Sequence, residues 1–268
     1  MTISLLIVVP TLNSHVLLPR LVRSLQQQSW PNWRLLFIDG PSGQEHRRWL
    51  DHCCATESRC SWFTQDPAQP GIFGAMNQGF IHASSSDWLL FWGSDDWAAG
   101  PHVLRDAIAA IETSVSIPDL LVCRGRYIES GSGAFARPTV FQPAGLLSVD
   151  DYRSALFFGS TPPHQATFVG PGARNYLACY LPSLRLSADL DYFLQLSRHP
   201  SLRVRCLDLE FVHMADGGVS AQYTWRRLHE VRYAYLRAFT WRWWFPFFAR
   251  YIKRFSTLFA FFDKRRTL

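Results

Sequence analysis

No apolar run in this sequence is long enough to cross a bilayer as a helix, which takes about 20 residues. The opening stretch, Ser4 to Leu12, is short, contains Pro10 and has no basic residue before it. That layout excludes a spanning helix and a secretory leader, and a buried strand is expected instead. Paired cysteine motifs are missing too. Cys53, Cys54, Cys60, Cys123, Cys179 and Cys206 form no Cys-x-x-Cys pair, and no histidine cluster completes a zinc site. Reduced thiols in a cytosolic protein are the expectation. There is no Gly-x-Gly-x-x-Gly run, which argues against a dinucleotide enzyme. Internal repeats and low-complexity segments are absent.

What is present is a large apolar fraction, 48% hydrophobic and 15% aromatic, enough to exclude a disordered chain. The first hundred residues alternate between short apolar runs and helical stretches. Strands are predicted at Leu5 to Val9, Arg34 to Asp39, Ser61 to Thr64 and Trp88 to Trp92. Helices are predicted at His15 to Gln28, Gln44 to Cys53 and Gly74 to Ala83. Continuous apolar strands separated by helices predict an α/β fold with a mostly parallel sheet covered on both faces. Ligands bind beyond the carboxyl ends of such strands. Those ends carry Thr11-Leu12-Asn13, Asp39-Gly40 and Ser94-Asp95-Asp96. Further on, Pro101 to Thr113 and Arg185 to Arg198 read as helices, and Leu120 to Ile128 and Leu202 to His213 as extended. Gly131 to Gly145 reads as a loop.

The apolar run Trp88 to Trp92 delivers two adjacent carboxylates, Asp95 and Asp96, to its exposed end. Neighbouring carboxylates repel and need a counter-charge, and a hard divalent cation is the usual one. Mg²⁺ or Mn²⁺ takes one or two protein carboxylates and completes its shell with water and diphosphate oxygens. The alternative is a turn whose aspartates cap the next helix.

Four segments in order carry a resemblance. Val8-Val9-Pro10-Thr11-Leu12-Asn13 resembles the opening strand of family 2 glycosyltransferases. Phe37-Ile38-Asp39-Gly40-Pro41-Ser42 is similar to their second strand and its loop. Gly71-Ile72-Phe73-Gly74-Ala75-Met76-Asn77-Gln78-Gly79 resembles a Gly-Ile-Tyr-Asp-Ala-Met-Asn-Lys-Gly segment of the subgroup that makes colanic acid and other surface polysaccharides. Ser94-Asp95-Asp96 falls where that family has its metal-binding Asp-x-Asp-type motif. The likeness covers about residues 3 to 100, and more thinly about 160 to 222. It implies a GT-A fold, Rossmann-like, with an inverting, metal-dependent catalytic domain over residues 1–222. About 1–100 would bind the nucleotide and about 101–222 the acceptor.

The resemblance also implies roles. Thr11, Asn13 and Asp39 would line the nucleotide pocket, with Asp39 accepting from the base. Asn77 would lie near the donor ribose or sugar. Asp95 and Asp96 would hold ribose and metal, with Asp96 the metal ligand. Leu186-Ser187-Ala188-Asp189-Leu190-Asp191-Tyr192 resembles the family's Glu-Asp-Tyr-Asp helix start, which makes Asp189 the catalytic base and Ala188 a departure. His164, in Pro163-His164-Gln165, would stand on the acceptor side. His213, before Gly217-Gly218-Val219-Ser220, would be a late addition to the metal. Other departures are Gly43-Gln44-Glu45 after Ser42, where an aspartate is common, and Gly74, also in place of an aspartate.

The net charge of +6 belongs to the end of the chain. Residues 222–268 hold 11 Lys and Arg against 2 acids, and residues 1–221 hold 16 against 19. Beyond Trp225, Leu228, Val231, Tyr235 and Phe239 share a helical face. After Pro246, the residues Phe248, Tyr251, Ile252, Phe255, Leu258, Phe259 and Phe262 form another, with Arg250, Lys253, Arg254 and Lys264 off the stripe. An apolar stripe flanked by Arg and Lys suits an anionic lipid surface, and it also suits burial in protein. Residues 223–268 are accordingly predicted as a basic, aromatic, amphipathic helical tail. The expected partners are a nucleotide-sugar donor, a sugar or lipid-linked acceptor and an anionic membrane, with no nucleic acid. The expected location is the cytoplasm, peripheral on the inner face of the plasma membrane. Two rivals stand beside this. A metal-dependent nucleotidyltransferase needs a glycine-rich, basic loop after its first strand, and Thr11-Leu12-Asn13-Ser14-His15 offers none. A non-catalytic, membrane-associated nucleotide-sugar-binding protein has no need of Asp95, Asp96 and Asp189.

Overall fold

The computed structural model describes residues 3–129, 134–139, 141, 144–216 and 223–252. The first apolar run forms strand β1 (Ser4–Thr11). Leu5, Ile7 and Val9 enter one core, and Leu6 and Val8 the other. A strand buried on both faces has no polar side, which is why its sequence does not alternate. Helix α1 (Leu18–Gln26) covers one face with Leu18, Leu21, Val22 and Leu25, and Pro19 lies in its first turn, where a missing N–H costs nothing. The helix begins later than His15 because Asn13 takes a positive φ of 50° and a turn intervenes.

Next come β2 (Trp33–Asp39), α2 (Gln44–Thr56), β3 (Cys60–Thr64), α3 (Ile72–His82) and β4 (Asp87–Phe91). These strands are parallel in the order β3-β2-β1-β4. The chain walks outward from β1 to β3, then returns to the other side of β1. In sheets of this kind ligands bind beyond the carboxyl ends of the strands at such a reversal, here between β1 and β4.

The second half contains β5 (Asp96–Ala98), α4 (Val103–Glu112), β6 (Leu120–Ile128), β7 (Phe135–Pro138), β8 (Gly145–Leu147) and α5 (Val149–Phe157). A 3-10 turn (His164–Ala166) then leads into β9 (Thr167–Val169), α6 (Pro171–Tyr176), α7 (Ala188–Leu196), β10 (Val204–Ala215) and α8 (Thr224–Phe239). The sheet continues β4-β9-β6-β10-β5, with β7 on β6 and β8 on β10. Here β10 runs parallel to β6, while β5, β7, β8 and β9 pair antiparallel with their neighbours. The parallel expectation therefore describes the first half, and the second half is mixed. Among the described residues β9 alone joins the two half-sheets. The segment expected to be a loop at 131–145 contributes β7 and the start of β8.

Packing does not break at residue 222. Val231, Ala234, Tyr235 and Ala238 of α8 lie in the same core as Leu6 and Val8. Beyond α8 comes a 3-10 turn (Thr240–Trp243), and the backbone is helical from 244 to 252. No helix among the described residues is long and apolar enough to cross a membrane. The stripe residues Phe255, Leu258, Phe259 and Phe262, with Lys253, Arg254 and Lys264, lie outside the described residues, as does Gly217-Gly218-Val219-Ser220. All six cysteines are free thiols.

Candidate functional site

Registry places the candidate residues on one edge of the sheet. Thr11 at the end of β1 pairs with Asp39 at the end of β2, and Val8 pairs with Phe91 at the end of β4. The β1 and β2 ends are locked together through Asp39, which is fully buried. Thr11 Oγ1 donates to Asp39 Oδ1 at 3.0 Å and Ser42 Oγ donates to the same oxygen at 2.6 Å. His46 Nε2, also buried, lies 3.1 Å from it. The second oxygen, Oδ2, has only Arg47 Nε, at 3.4 Å. One carboxylate oxygen thus fixes the loop, and the other is more weakly engaged, by Arg47, with the whole side chain closed to solvent in this structure. Asn13 performs the matching task for the backbone. Its N–H donates to Ser42 Oγ at 2.9 Å, and its Oδ1 accepts from Gly43 N–H at 2.8 Å. Ser42, His46 and Arg47 were not singled out by sequence as functional, since nothing local marks a side chain that closes on a carboxylate several residues back.

At the β4 end, the chain turns through Gly93 into Asp95 and Asp96. Gly93 N–H donates to Asp96 Oδ2 at 2.5 Å. A Cβ on Gly93 would stand 2.7 Å from Asp95 Oδ1 and 3.2 Å from Asp96 Oδ2, so only glycine lets the two carboxylates fold back over the turn. Ser94 Oγ donates to Pro10 O at 3.0 Å and accepts from Ser14 Oγ at 2.9 Å, which ties this turn to the end of β1. Burial raises the Asp96 pKa well above the usual carboxylate range; the Asp95 charge adds to this, and the Gly93 N–H opposes it. Burial raises Asp95 as well. No basic side chain counters either charge among the described residues. Two hard oxygen donors without a cationic partner are a donor set that suits Mg²⁺ or Mn²⁺. Among the described residues no cluster of three or more His, Cys, Asp or Glu gathers to hold a metal ion. Protein carboxylates would then fill only part of the shell, which leaves room for diphosphate and water.

His164, expected on the acceptor side, is brought to the same edge by β9. It runs antiparallel to β4, so the His164–Ala166 turn that precedes it lies beyond the β4 carboxyl end. Trp92 Nε1 donates to Gln165 O at 2.9 Å and pins that turn beside the Gly93 bend. His164 Nδ1 lies 3.6 Å from Oδ2 of Asp189, in the first turn of α7. Burial works against ionisation of Asp189, but His164, the Leu190 N–H and Arg250 outweigh it, and the pKa falls below the usual carboxylate value. Asp191, two residues on, is buried away from this pair and bonded to Arg237 of α8.

The approach to α7 is set from α8. Glu230, buried, accepts from the backbone N–H groups of Arg185 at 3.0 Å, Leu186 at 2.7 Å and Ser187 at 3.0 Å. Holding these three in place delays the helix start from Arg185 to Ala188.

Two of the expected site residues are engaged elsewhere in this structure. Asn77 does not offer its side chain to a ligand: its Nδ2 donates to Tyr180 O at 3.0 Å and its Oδ1 accepts from Tyr180 N–H at 2.7 Å, inside the core. Its carboxamide staples α3 to the segment before α7. His213 is not on the face of Asp96. In the β5–β10 pairing it stands opposite Trp97, and Asp96 stands opposite Met214. Adjacent strand residues point to opposite faces, so His213 and Asp96 diverge. His213 Nε2 is instead 2.9 Å from Glu210 Oε1.

The sequence compares with known proteins as follows. The family described as "Glycosyl transferase family 2" matches residues 6–145. The PGL/p-HBAD biosynthesis glycosyltransferase of Mycobacterium tuberculosis (strain ATCC 25177 / H37Ra) is 27% identical over 215 residues, covering 80% of this chain and 78% of its own length. Another glycosyltransferase of M. tuberculosis (strain ATCC 25618 / H37Rv) is 28% identical over 206 residues, covering 72% and 69%. In structure, S. aureus TarS 1-349 in complex with UDP-GlcNAc superposes with a TM-score of 0.68 at 16% identity, over 95% of this chain and 73% of that one. The mannosyltransferase PcManGT from Pyrobaculum calidifontis, in complex with GDP-Man and Mn²⁺, gives 0.61 at 11% identity, over 87% and 63%. With a family match that runs from β1 to the start of β8, and the GT-A fold shared with these enzymes, the chain belongs to glycosyl transferase family 2.

Proposed function

We propose that this protein transfers a sugar from a nucleoside-diphosphate sugar to an acceptor hydroxyl with inversion, using a divalent cation. The observation that carries the reading is the shared edge: the uncompensated Asp95–Asp96 pair and the Asp189–His164 pair are pinned to the same end of β4 through Trp92. Asp39 would accept from the nucleobase through Oδ2, its other oxygen being held by Thr11 and Ser42. Asp96, aided by Asp95, would hold Mg²⁺ or Mn²⁺, which when bound offsets the charge that develops on a departing diphosphate. Asp189, held ionised, takes the proton of the acceptor hydroxyl. Its low pKa makes it a weak base towards a free alcohol. The transfer becomes favourable as the oxygen begins to bond to the anomeric carbon and its proton turns acidic. A single displacement of this kind inverts the anomeric centre and leaves no covalent intermediate. A lipid-linked acceptor of a surface polysaccharide or glycolipid fits the tail described below.

A panel of nucleoside-diphosphate sugars, screened by thermal shift with and without Mn²⁺, tests the donor half of this reading. One or two are expected to raise Tm in the presence of the ion, and the same compounds are expected to yield free nucleoside diphosphate once an acceptor is supplied. Metal-independent binding, or release of pyrophosphate in place of a nucleoside diphosphate, overturns it in favour of a nucleotide-binding scaffold or a nucleotidyltransferase.

The end of the described chain supports a peripheral membrane location on the cytoplasmic leaflet. Trp241, Trp244, Phe245, Phe248 and Ile252 are exposed, while Trp243, Phe247 and Tyr251 pack on the core. The outward residues recur at helical spacing beside Arg242, as at an anionic interface. The full chain is expected to sediment with vesicles containing phosphatidylserine and not with phosphatidylcholine alone. Replacing Trp244, Phe248 and Ile252 together by Asn should release it, and equal sedimentation of that variant would count against the assignment.

A further inference from the structure

Arg250 differs from its basic neighbours. It is only 7% exposed, although it sits in the amphipathic segment that follows α8. Burying a guanidinium is costly unless something close by receives it. Its Nη1 donates to Thr161 Oγ1. Its Nε is buried without a hydrogen-bond partner among the described residues, and no carboxylate there forms an ion pair with it. The docking is prepared from the other side as well. Gly159 adopts a positive φ of 79°, and a Cβ there would stand 2.5 Å from both Arg250 N and Cα. The loop before His164 therefore comes against the tail backbone at a residue where only glycine fits. Thr161 lies three residues before His164, and His164 faces Asp189 at 3.6 Å. The Arg250 charge adds a small share, after His164 and the Leu190 N–H, to the lowering of the Asp189 pKa.

We infer that Arg250 is a positioning residue for the acceptor side of the cleft, so that the tail which carries it is a working part of the catalytic centre as well as a lipid-facing surface. This rests on the reading of Asp189 as the base. Arg250 holds the 159–164 loop through Thr161, and with it keeps His164 facing Asp189, while its own charge adds the smallest share to what favours the Asp189 carboxylate. A tail seated on a membrane with its outward aromatics then presents this arginine from its inward side. The groups that face Asp189 are His164, the Leu190 N–H and Arg250, with the Tyr180 hydroxyl also within its field.

The test compares the full-length wild type with Arg250→Gln, Arg250→Lys and Asp189→Asn, measuring kcat, donor KM and Tm, with kcat followed against pH. Arg250→Gln is expected to lower kcat by about tenfold or more, in the range of a lost acid–base positioning contact, with donor KM changed by less than about twofold. Removing a positive charge raises the Asp189 pKa, so the acid limb of the kcat profile should move to higher pH. Arg250→Lys should restore the limb and part of kcat. The inference is overturned if Arg250→Gln keeps kcat and the acid limb while Asp189→Asn is inactive. It is equally overturned if both Arg250 variants lose Tm, donor affinity and kcat together with no recovery by lysine, which is the mark of a purely structural pin. An active Asp189→Asn removes the base itself, and this inference with it.

Discussion

Asp189→Asn is expected to lower the transfer rate by roughly 10³-fold while leaving donor affinity within about twofold. Asparagine matches aspartate in shape, so the start of α7 and the Trp92–Gln165 tie stay in place. What disappears is the ability to take a proton from the acceptor oxygen. On the proposed reading donor binding depends on Asp39 and the Asp95–Asp96 turn, and should not notice the change. Calorimetry of the donor with Mn²⁺ beside a nucleoside-diphosphate release assay separates the two quantities. Loss of both in parallel would mean that Asp189 shapes the donor site, and retention of both would move the base elsewhere.

Glu230→Ala should give the largest loss of stability of any single change near the cleft. Three backbone N–H groups, of Arg185, Leu186 and Ser187, share this buried carboxylate. Removing it leaves donors without an acceptor in a partly buried position. The expected cost is about 3 kcal/mol, since each bond to a charged group contributes about 1.5–3 kcal/mol and relaxation recovers part. The Arg226 ion pair with the same carboxylate adds little, because Arg226 is exposed. Glu230→Gln keeps an acceptor oxygen and should lose less. Urea unfolding at constant m measures both. Because Ser187 stands two residues before Asp189, kcat should fall along with stability. A variant as stable as the wild type would show that the 185–187 segment is held by its own packing.

Much of this was legible in residue order. Leu5–Val9, Leu35–Ile38 and Leu89–Phe91 read as doubly buried strands because helices do cover both their faces, and the polar residues at their ends do lie on one edge. The Asp95–Asp96 turn at the end of an apolar strand was legible, while the pair by itself left a metal site and a helix cap equally open. What escaped depends on pairings that local sequence does not encode. A carboxamide such as that of Asn77 looks the same whether it meets a ribose or the backbone of Tyr180. The face of His213 follows from its registry with Trp97 across β5 and β10, and a shift of one residue would reverse it. The apolar stripe of α8 fits a membrane and a core equally well. Glu230, Arg237 and the buried Val231 and Tyr235 place that stripe in the core, while Trp225 and Tyr233 of the same helix and the large aromatics beyond Thr240 turn outward.

The short strand β9 has one more consequence. It meets β4 at a single registered pair, Leu89 with Val169, and β6 at three. So brief a seam offers few ladder bonds, and the cores on the two faces of the sheet run across it. The turn bearing His164 is attached directly to that seam. A shift at that seam would move His164 relative to the Gly93 bend, and on the proposed reading would couple the donor end of the site to the alignment of the nucleophile.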